Sequence, residues 1–214
     1  MYIQGIFSEL DKHVLSEFVS IYNFGALIIQ GEDKIEVNHI PFEYIEKEDS
    51  LGLLRGHVSK RNPCSDLARK NENVTVIFTG PNAYISPRWM PGNTTHRKVA
   101  PSWNYSVVHV YGKARIIDDS HWLNNHMNSL TENMESNRDY PWSLNDADKD
   151  FVEKMTKGIT GIEILVTEMQ GKFQASQQYS ERTRSSIKEA LVNECGEMGK
   201  AVQKMISARN ENNC

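Results

Sequence analysis

The sequence predicts a mainly β chain with flanking helices, of the α+β class: a small β-barrel followed by a C-terminal helical segment. Three observations lead there. About six or seven short runs rich in Val, Ile, Leu and aromatic residues are separated by turn residues. Few long helical patterns lie between those runs, which disfavours a doubly wound sheet with its crossover helices. From Ser180 onward the apolar residues change to a helical period.

The elements follow in order. Ser8 is a candidate N-cap, with Leu10, Val14, Phe18 and Ile21 at helical spacing behind it, and Asn23-Phe24-Gly25 breaks that helix. Residues 25–30 and 35–42 form two strands joined by a turn at Gly31-Glu32-Asp33-Lys34. Further strands are expected over 51–57, 74–79 and 83–86. The longest runs from Asn104 to Ile117, apolar on both faces and so expected to be buried on both. Ser120 starts a helix with Leu123, Met127, Leu130 and Met134 as its stripe, and a short helix is expected over 148–157. A strand at 161–167 precedes Gly171-Lys172-Phe173. Two helices then follow, with Ile187, Leu191 and Val192 on one and Val202, Met205 and Ile206 on the other.

A chain of 214 residues can build one well-packed domain with a smaller appendage. No run reaches the roughly 18 apolar residues of a membrane span, and the N-terminus lacks the pattern of a secretory signal. A cytoplasmic protein without membrane contact is expected. The three cysteines, Cys64, Cys195 and Cys214, offer neither a CxxC pair nor a Cys/His cluster for metal. A net charge of -4 argues against coating nucleic acid nonspecifically. The charge is nonetheless uneven. Between Ser86 and Arg115 there is no acidic residue, while Arg88, Arg97, Lys98, Lys113 and Arg115 share the stretch with Trp89, Trp103, Tyr105 and Tyr111. Such a segment suits an anionic, planar ligand, or else a solvated basic face.

Candidate chemistry concentrates in two places. In the first, a strand ending at His57-Val58-Ser59 runs through Lys60-Arg61 to Asn62-Pro63, a helix-starting pair. Ser59, Lys60 and Arg61 would then lie beside helix-end N–H groups, where a phosphate binds well, unless the two cations merely solvate a turn. Neither a Walker loop nor a GxGxxG is present. In the second, Pro87-Arg88-Trp89 and Pro101-Ser102-Trp103-Asn104-Tyr105 put tryptophans beside prolines in a loop region. Those rings need a core, a second subunit or a flat ligand to pack on, and Asn104 has the donors and acceptor that a ring edge takes. His39 and His57, near strand ends, could donate to a ligand, whereas His109 reads as a core histidine. No nucleophile–base constellation is visible.

At these residues the sequence resembles the PaiB family. The matching stretches are Asn38-His39-Ile40-Pro41-Phe42, the segment from Leu54 to Pro63, the segment from Ile77 to Pro87, His96-Arg97-Lys98 through Trp103-Asn104-Tyr105, His109-Val110-Tyr111-Gly112 and Gly161-Ile162-Glu163-Ile164. They occur in order over more than three quarters of the chain. The departures, at Asn38, Ser59, Ser102 and Gln178, are polar-for-polar or small-for-small.

The resemblance implies an FMN-binding split β-barrel related to pyridoxamine-phosphate oxidases, over residues 1–178 with inserted helices, and a C-terminal helical tail over 179–214. It implies a homodimer with the flavin at the subunit interface. His57, Val58, Ser59 and Lys60 would serve the flavin phosphate, Asn38 and His39 would approach from the neighbouring strand, and Trp103, Asn104 and Tyr105 would wall the ring. The implied function is negative regulation of transcription, without catalytic residues. The alternative is an FMN-dependent oxidoreductase acting on a small molecule, and a third reading is a flavin carrier or dimerisation module. The tail could be taken as a helix–turn–helix reading DNA, although its five carboxylates nearly cancel its six Lys and Arg residues.

Overall fold

The computed structural model describes residues 1–91 and 99–211. The expected basic segment His96-Arg97-Lys98 and Cys214 lie outside the described residues. Among the described residues there are eight strands and six α-helices; the two short strands expected over 74–79 and 83–86 are one continuous strand, and two short strands, at 8–9 and 43–45, were not expected. The strands are β1 (Ser8–Glu9), β2 (Phe24–Gln30), β3 (Ile35–Pro41), β4 (Glu43–Ile45), β5 (Leu53–Ser59), β6 (Asn73–Ile85), β7 (Ser102–Ile117) and β8 (Ile159–Gln174). The helices are α1 (Lys12–Ile21), α2 (Cys64–Lys70), α3 (Ser120–Glu135), α4 (Lys149–Lys157), α5 (Glu181–Glu194) and α6 (Gly196–Glu211). The sheet order is β3-β2-β6-β7-β8-β5-β4, with β1 pairing β8. No helix of the described residues is long and apolar enough to cross a membrane.

The chain divides into two compact units, and β6, β7 and β8 each run from one into the other. The larger comprises Ser16–Phe78 and Val110–Met169. Here β2 and β3 form an antiparallel hairpin, closed at Gln30↔Ile35 by a turn in which the Gly31 N–H donates to the Lys34 carbonyl at 3.0 Å. β5 pairs β8 from Leu53↔Leu165 to Ser59↔Ile159. The barrel closes where β3 and β5 touch without sharing a ladder. A Cβ on Gly56 would stand 3.0 Å from Ile40 and 3.1 Å from Phe42. Leu27, Ile29, Phe42, Leu54, Phe78, Ile162 and Ile164 are fully buried inside, where each removes a full aliphatic or aromatic side chain from water. Strand alternation then fixes the outside: Leu54, Gly56 and Val58 point inward, and Arg55, His57 and Ser59 outward.

The second unit comprises Met1–Leu15, Thr79–His109 and Gln170–Cys214. Its core joins the end of β8 with the α5–α6 hairpin, through buried Phe173, Ile187, Leu191, Val202 and Ile206. Gly196, at φ 57°, turns the chain between the two helices, a conformation that glycine adopts without penalty. Ser176 also has a positive φ, 59°, and is fully buried. Its hydroxyl bonds the Asn104 side chain at 2.9 Å, and that bond holds the strained residue.

Four expectations need correction. Asp11, not Ser8, caps the first helix: the His13 N–H donates to its carboxylate at 2.8 Å, while Ser8 pairs in β1. Of the expected stripe Phe18 is buried but Leu10 and Ile21 are exposed, and the helix buries Leu15 and Val19 beside Phe18. The α3 stripe is likewise rotated, burying Leu123 and His126 and leaving Met134 exposed. β7 is not buried on both faces. Its even-numbered residues from Asn104 to Ala114 are buried, and its odd-numbered face, which begins at Trp103, is half-open.

Candidate functional site

The site grows from the outward face and C-terminal end of β5. Beyond Ser59 the chain turns sharply, and the turn consumes its own backbone donors. The Lys60 N–H donates to the Gly158 carbonyl at 2.9 Å, the Arg61 N–H to the Ser59 hydroxyl at 3.2 Å, and the Asn62 N–H to the Ser59 carbonyl at 2.9 Å. Asn62 then caps α2, its Oδ1 accepting from the Cys64 N–H at 3.0 Å. The expected helix-end donors are therefore partly used by the cap, and α2 is only seven residues long. What the loop leaves open is side-chain chemistry.

Lys60 and Arg61 are exposed, and neither makes an ion pair or side-chain hydrogen bond among the described residues. The Ser59 hydroxyl accepts from Arg61 and keeps its own proton to give. Two cations and a hydroxyl donor on one turn are the donor set of an oxyanion, so these residues fit the phosphate of a cofactor such as FMN. Lys60 also lines two adjoining cavities, of about 330 Å³ with Ser65, Arg69 and Thr160, and of about 600 Å³ with Asn124, Asn128 and Lys149. Asp118, on the wall of both, is already engaged by Arg69 at 2.6 Å and by the Thr160 hydroxyl at 2.6 Å.

The structure brings some of the expected residues together and separates others. Asn38 reaches the loop, because the Asn62 amide donates to its Oδ1 at 2.7 Å. His39, one residue on, points to the opposite face of β3 and stacks on Phe24 with centroids 6.0 Å apart. Val58 faces the core, 7% exposed, and can meet a ligand only through its backbone. His57 lies on the same face as Ser59, but its ring turns under α3. Trp103, Asn104 and Tyr105 belong to the other unit. Trp103 is half-exposed, donates to Asn82 at 3.2 Å and sits edge-on to Tyr84. Asn104 is buried and spends its amide on Ser176. Tyr105 carries the Lys172 ammonium 5.5 Å from its ring centroid.

Two polar networks behind β5 escaped the sequence reading. In one, Glu163 of β8 lies between Arg55 at 3.0 Å and Arg115 at 2.7 Å. Burial raises its carboxyl pKa, but hydrogen bonds and charge from the two guanidinium groups outweigh that and hold it below the ordinary range. The other runs from His57 Nδ1 to His126 Nε2 at 3.2 Å, and from His126 Nδ1 toward Glu43 Oε2 at 3.7 Å, longer than a hydrogen bond. Both atoms of that last pair are buried without another partner. Glu43 Oε1 accepts from the Ser129 hydroxyl and, at 2.8 Å, from the Asn133 amide. Burial raises the Glu43 carboxyl, and His126, Ser129 and Arg55 together bring it below its usual value. Trp122 stacks on His126, rings 5.2 Å apart, and lies under the Arg55 guanidinium. Burial, helped by the charge of His126, lowers the His57 pKa to about 4, so its imidazole is neutral at pH 7.

The family model described as "Putative FMN-binding domain" matches residues 1–168. The Bacillus subtilis "Protease synthase and sporulation protein PAI 2" is 31% identical over 194 residues, spanning 91% of this chain and 90% of that protein. An uncharacterised protein of Emericella nidulans is 28% identical over 246 residues, spanning 99% of this chain and 98% of its own. Among solved structures, a conserved hypothetical protein from Mycobacterium tuberculosis superposes with a TM-score of 0.60 at 13% identity, covering 85% of this chain and 95% of that one. The FAD and heme binding protein from Mycobacterium smegmatis gives 0.57 at 11% identity, over 78% and 73%. These structural likenesses carry the split-barrel fold of flavoproteins. With the family model matching residues 1–168 and a relative 31% identical over nearly the whole of both chains, this chain belongs to the FMN-binding domain family, with a flavin as its cofactor.

Proposed function

We propose that this protein is an FMN-binding, homodimeric negative regulator of transcription acting in the cytoplasm, similar in role to the PaiB family. The single observation that carries the flavin site is the exposed Lys60 and Arg61, neither in a close ion pair among the described residues, beside the Ser59 hydroxyl. Ser59, Lys60 and Arg61 would hold the phosphate, with Asn38 fixed against them through Asn62. Trp103 and Tyr105, on the half-open face of β7 in the other unit, are rings available to a second subunit. Bound FMN supplies a ring that takes up or releases one or two electrons, while the protein contributes binding and orientation.

The name of the Bacillus relative, which links it to protease synthesis and sporulation, supports regulation over metabolism. Reading DNA through the C-terminal helices has little support. Arg184 and Lys188 face Glu181, Lys200 faces Glu197, and Arg209 is paired with Glu9. Regulation through another surface or a protein partner fits this charge pattern better.

The test is FMN titration of the purified protein, followed by flavin absorbance, beside the Ser59→Ala/Lys60→Ala double variant. One FMN per chain is expected, and loss of two charge-assisted contacts should weaken binding at least about tenfold while circular dichroism stays unchanged. Unchanged affinity in the folded variant would sink the phosphate assignment. Steady bleaching of the flavin by a reduced nicotinamide with turnover of an acceptor would replace the regulator with the oxidoreductase.

A further inference from the structure

One cavity has no part in that reading. It lies against β5 under α3 and α4 and encloses about 260 Å³, near the lower end of ligand-pocket volumes. Its wall is mostly apolar, built from Met127, Trp142, Leu144, Phe151, Met155 and Ile159. Trp142, Phe151 and Met155 are each about half-exposed, at 46%, 58% and 56%, and large apolar side chains clustered around one opening mark a binding surface.

The polar side chains on this apolar wall are His57 and the hydroxyls of Thr131 and Thr156, and His57 alone among them is backed by a buried network. Its Nδ1 is held by His126, which is backed in turn by the buried Glu43 carboxylate. Its Nε2 has no hydrogen-bond partner among the described residues and is not sealed from solvent. Thr156, also on the wall, already donates to the Val152 carbonyl at 2.9 Å. A buried carboxylate and a second histidine behind a ring fix its orientation, an arrangement that a surface imidazole does not need.

We propose that this cavity binds a small hydroxyl-bearing aromatic molecule, a phenol or naphthol by chemical class, with its ring among the apolar side chains and its hydroxyl on His57 Nε2. The volume takes one or two fused rings. A hydroxyl both donates and accepts, so it pairs with either tautomer of His57. A charged ligand would meet no free charge among the lining residues, and a purely aliphatic one would leave Nε2 unpaired.

The experiment is calorimetric titration of the FMN-loaded protein with 2-naphthol and with its near-isostere 2-methylnaphthalene, in the wild type and two variants. One site is expected, with 2-naphthol binding about tenfold more tightly, the worth of one hydrogen bond. His57→Phe should abolish that preference and keep the affinity for 2-methylnaphthalene. Ala147→Trp, which fills the cavity from its wall, should remove both, and it keeps the test open should His57→Phe fail to fold. Equal affinities in the wild type, a preference that survives His57→Phe, or binding unaffected by Ala147→Trp would overturn the proposal. Stoichiometric release of FMN by 2-naphthol would also overturn it, since the cavity would then be part of the flavin site. Loss of the phosphate assignment at Ser59 and Lys60 would leave this result untouched.

Discussion

His57 makes the protein's stability depend on pH in a way that one substitution isolates. In the unfolded chain its imidazole takes a proton near the ordinary value of 6.5; in the folded chain burial and His126 delay this to about 4. Between those values the unfolded state binds more protons. Stability contributed by the neutral ring is therefore complete above about pH 7 and is lost as pH falls from there through 4. A shift of this size corresponds to a ceiling of about 3 kcal/mol, and because the ring is only half-buried, screening lowers the expected effect to about 2 kcal/mol. The assay is urea unfolding of the wild type and His57→Phe at half-unit steps from pH 8 to 4. The difference between the two curves should be flat from pH 8 to 7, then move by about 2 kcal/mol in favour of the variant by pH 4. Carboxylates such as Glu163 titrate in both proteins and largely cancel in that difference. A difference that stays flat across the whole range would refute the placement of His57 in a ring-burying site.

Other perturbations follow from close contacts and buried charge. A Cβ at Gly112 would sit 2.5 Å from the Leu165 carbonyl oxygen and 2.6 Å from Ile164. Because backbone must move, Gly112→Ala should lose about 2–3 kcal/mol and lower the melting temperature by roughly 5–10 °C. Gly5→Ala, with open space around it, should change nothing in the same thermal scan. At Gly161 the new methyl would meet the Trp122 ring at 2.3 Å. Gly161→Ala should therefore shift the tryptophan emission spectrum and, by moving the ring stacked on His126, weaken any ligand held by His57. Glu163→Gln leaves Arg55 and Arg115 facing a neutral amide and should cost about 2 kcal/mol in urea unfolding at pH 7. The depressed carboxyl contributes stability above its unfolded value and loses it as pH falls, so that penalty should shrink toward acid.

The strands were legible because period-2 alternation and turn residues survive in a single sequence. The hairpin of 24–41 and the β5 segment agree with expectation to within a residue or two. Helix faces were read less well. In α1 and α3 the expected stripes followed the apolar residues, but packing buries Leu15 and Val19 in one and the polar His126 in the other. A histidine enters a core when partners accept it, and those partners, Glu43 and His57, stand 83 and 69 residues away. Nothing local in the sequence announces such a trio. The spacing of Trp122 and His126, one helical turn apart, is the single signal available, and it is shared by many surface pairs. The loop at 59–62 shows the converse. Its residue types announced an anion site, yet which donors remained free depended on Asn62 turning back to cap α2 and reaching Asn38.

Alternation along β5 also explains how one strand serves three purposes without conflict. Its inward residues, Leu54, Gly56 and Val58, close the barrel and tolerate little change. Its outward residues stand two apart, about 7 Å along the strand, and each meets a different neighbour. Arg55 joins the Glu163 network, His57 enters the apolar cavity, and Ser59 begins the turn that carries Lys60 and Arg61. A one-residue slip of β5 against β8 would turn all three inward at once and expose Leu54 and Val58. The barrel's burial therefore enforces the register that sets the site. Substitutions at Arg55, His57 or Ser59 should act on separate functions, and their effects should add; Gly56→Ala, pressing on Ile40 and Phe42, should disturb all three together. Measured FMN affinity, 2-naphthol affinity and urea stability in these four variants distinguish the two cases. Loss of all three properties from Ser59→Ala alone would mean that the outward face works as one coupled unit.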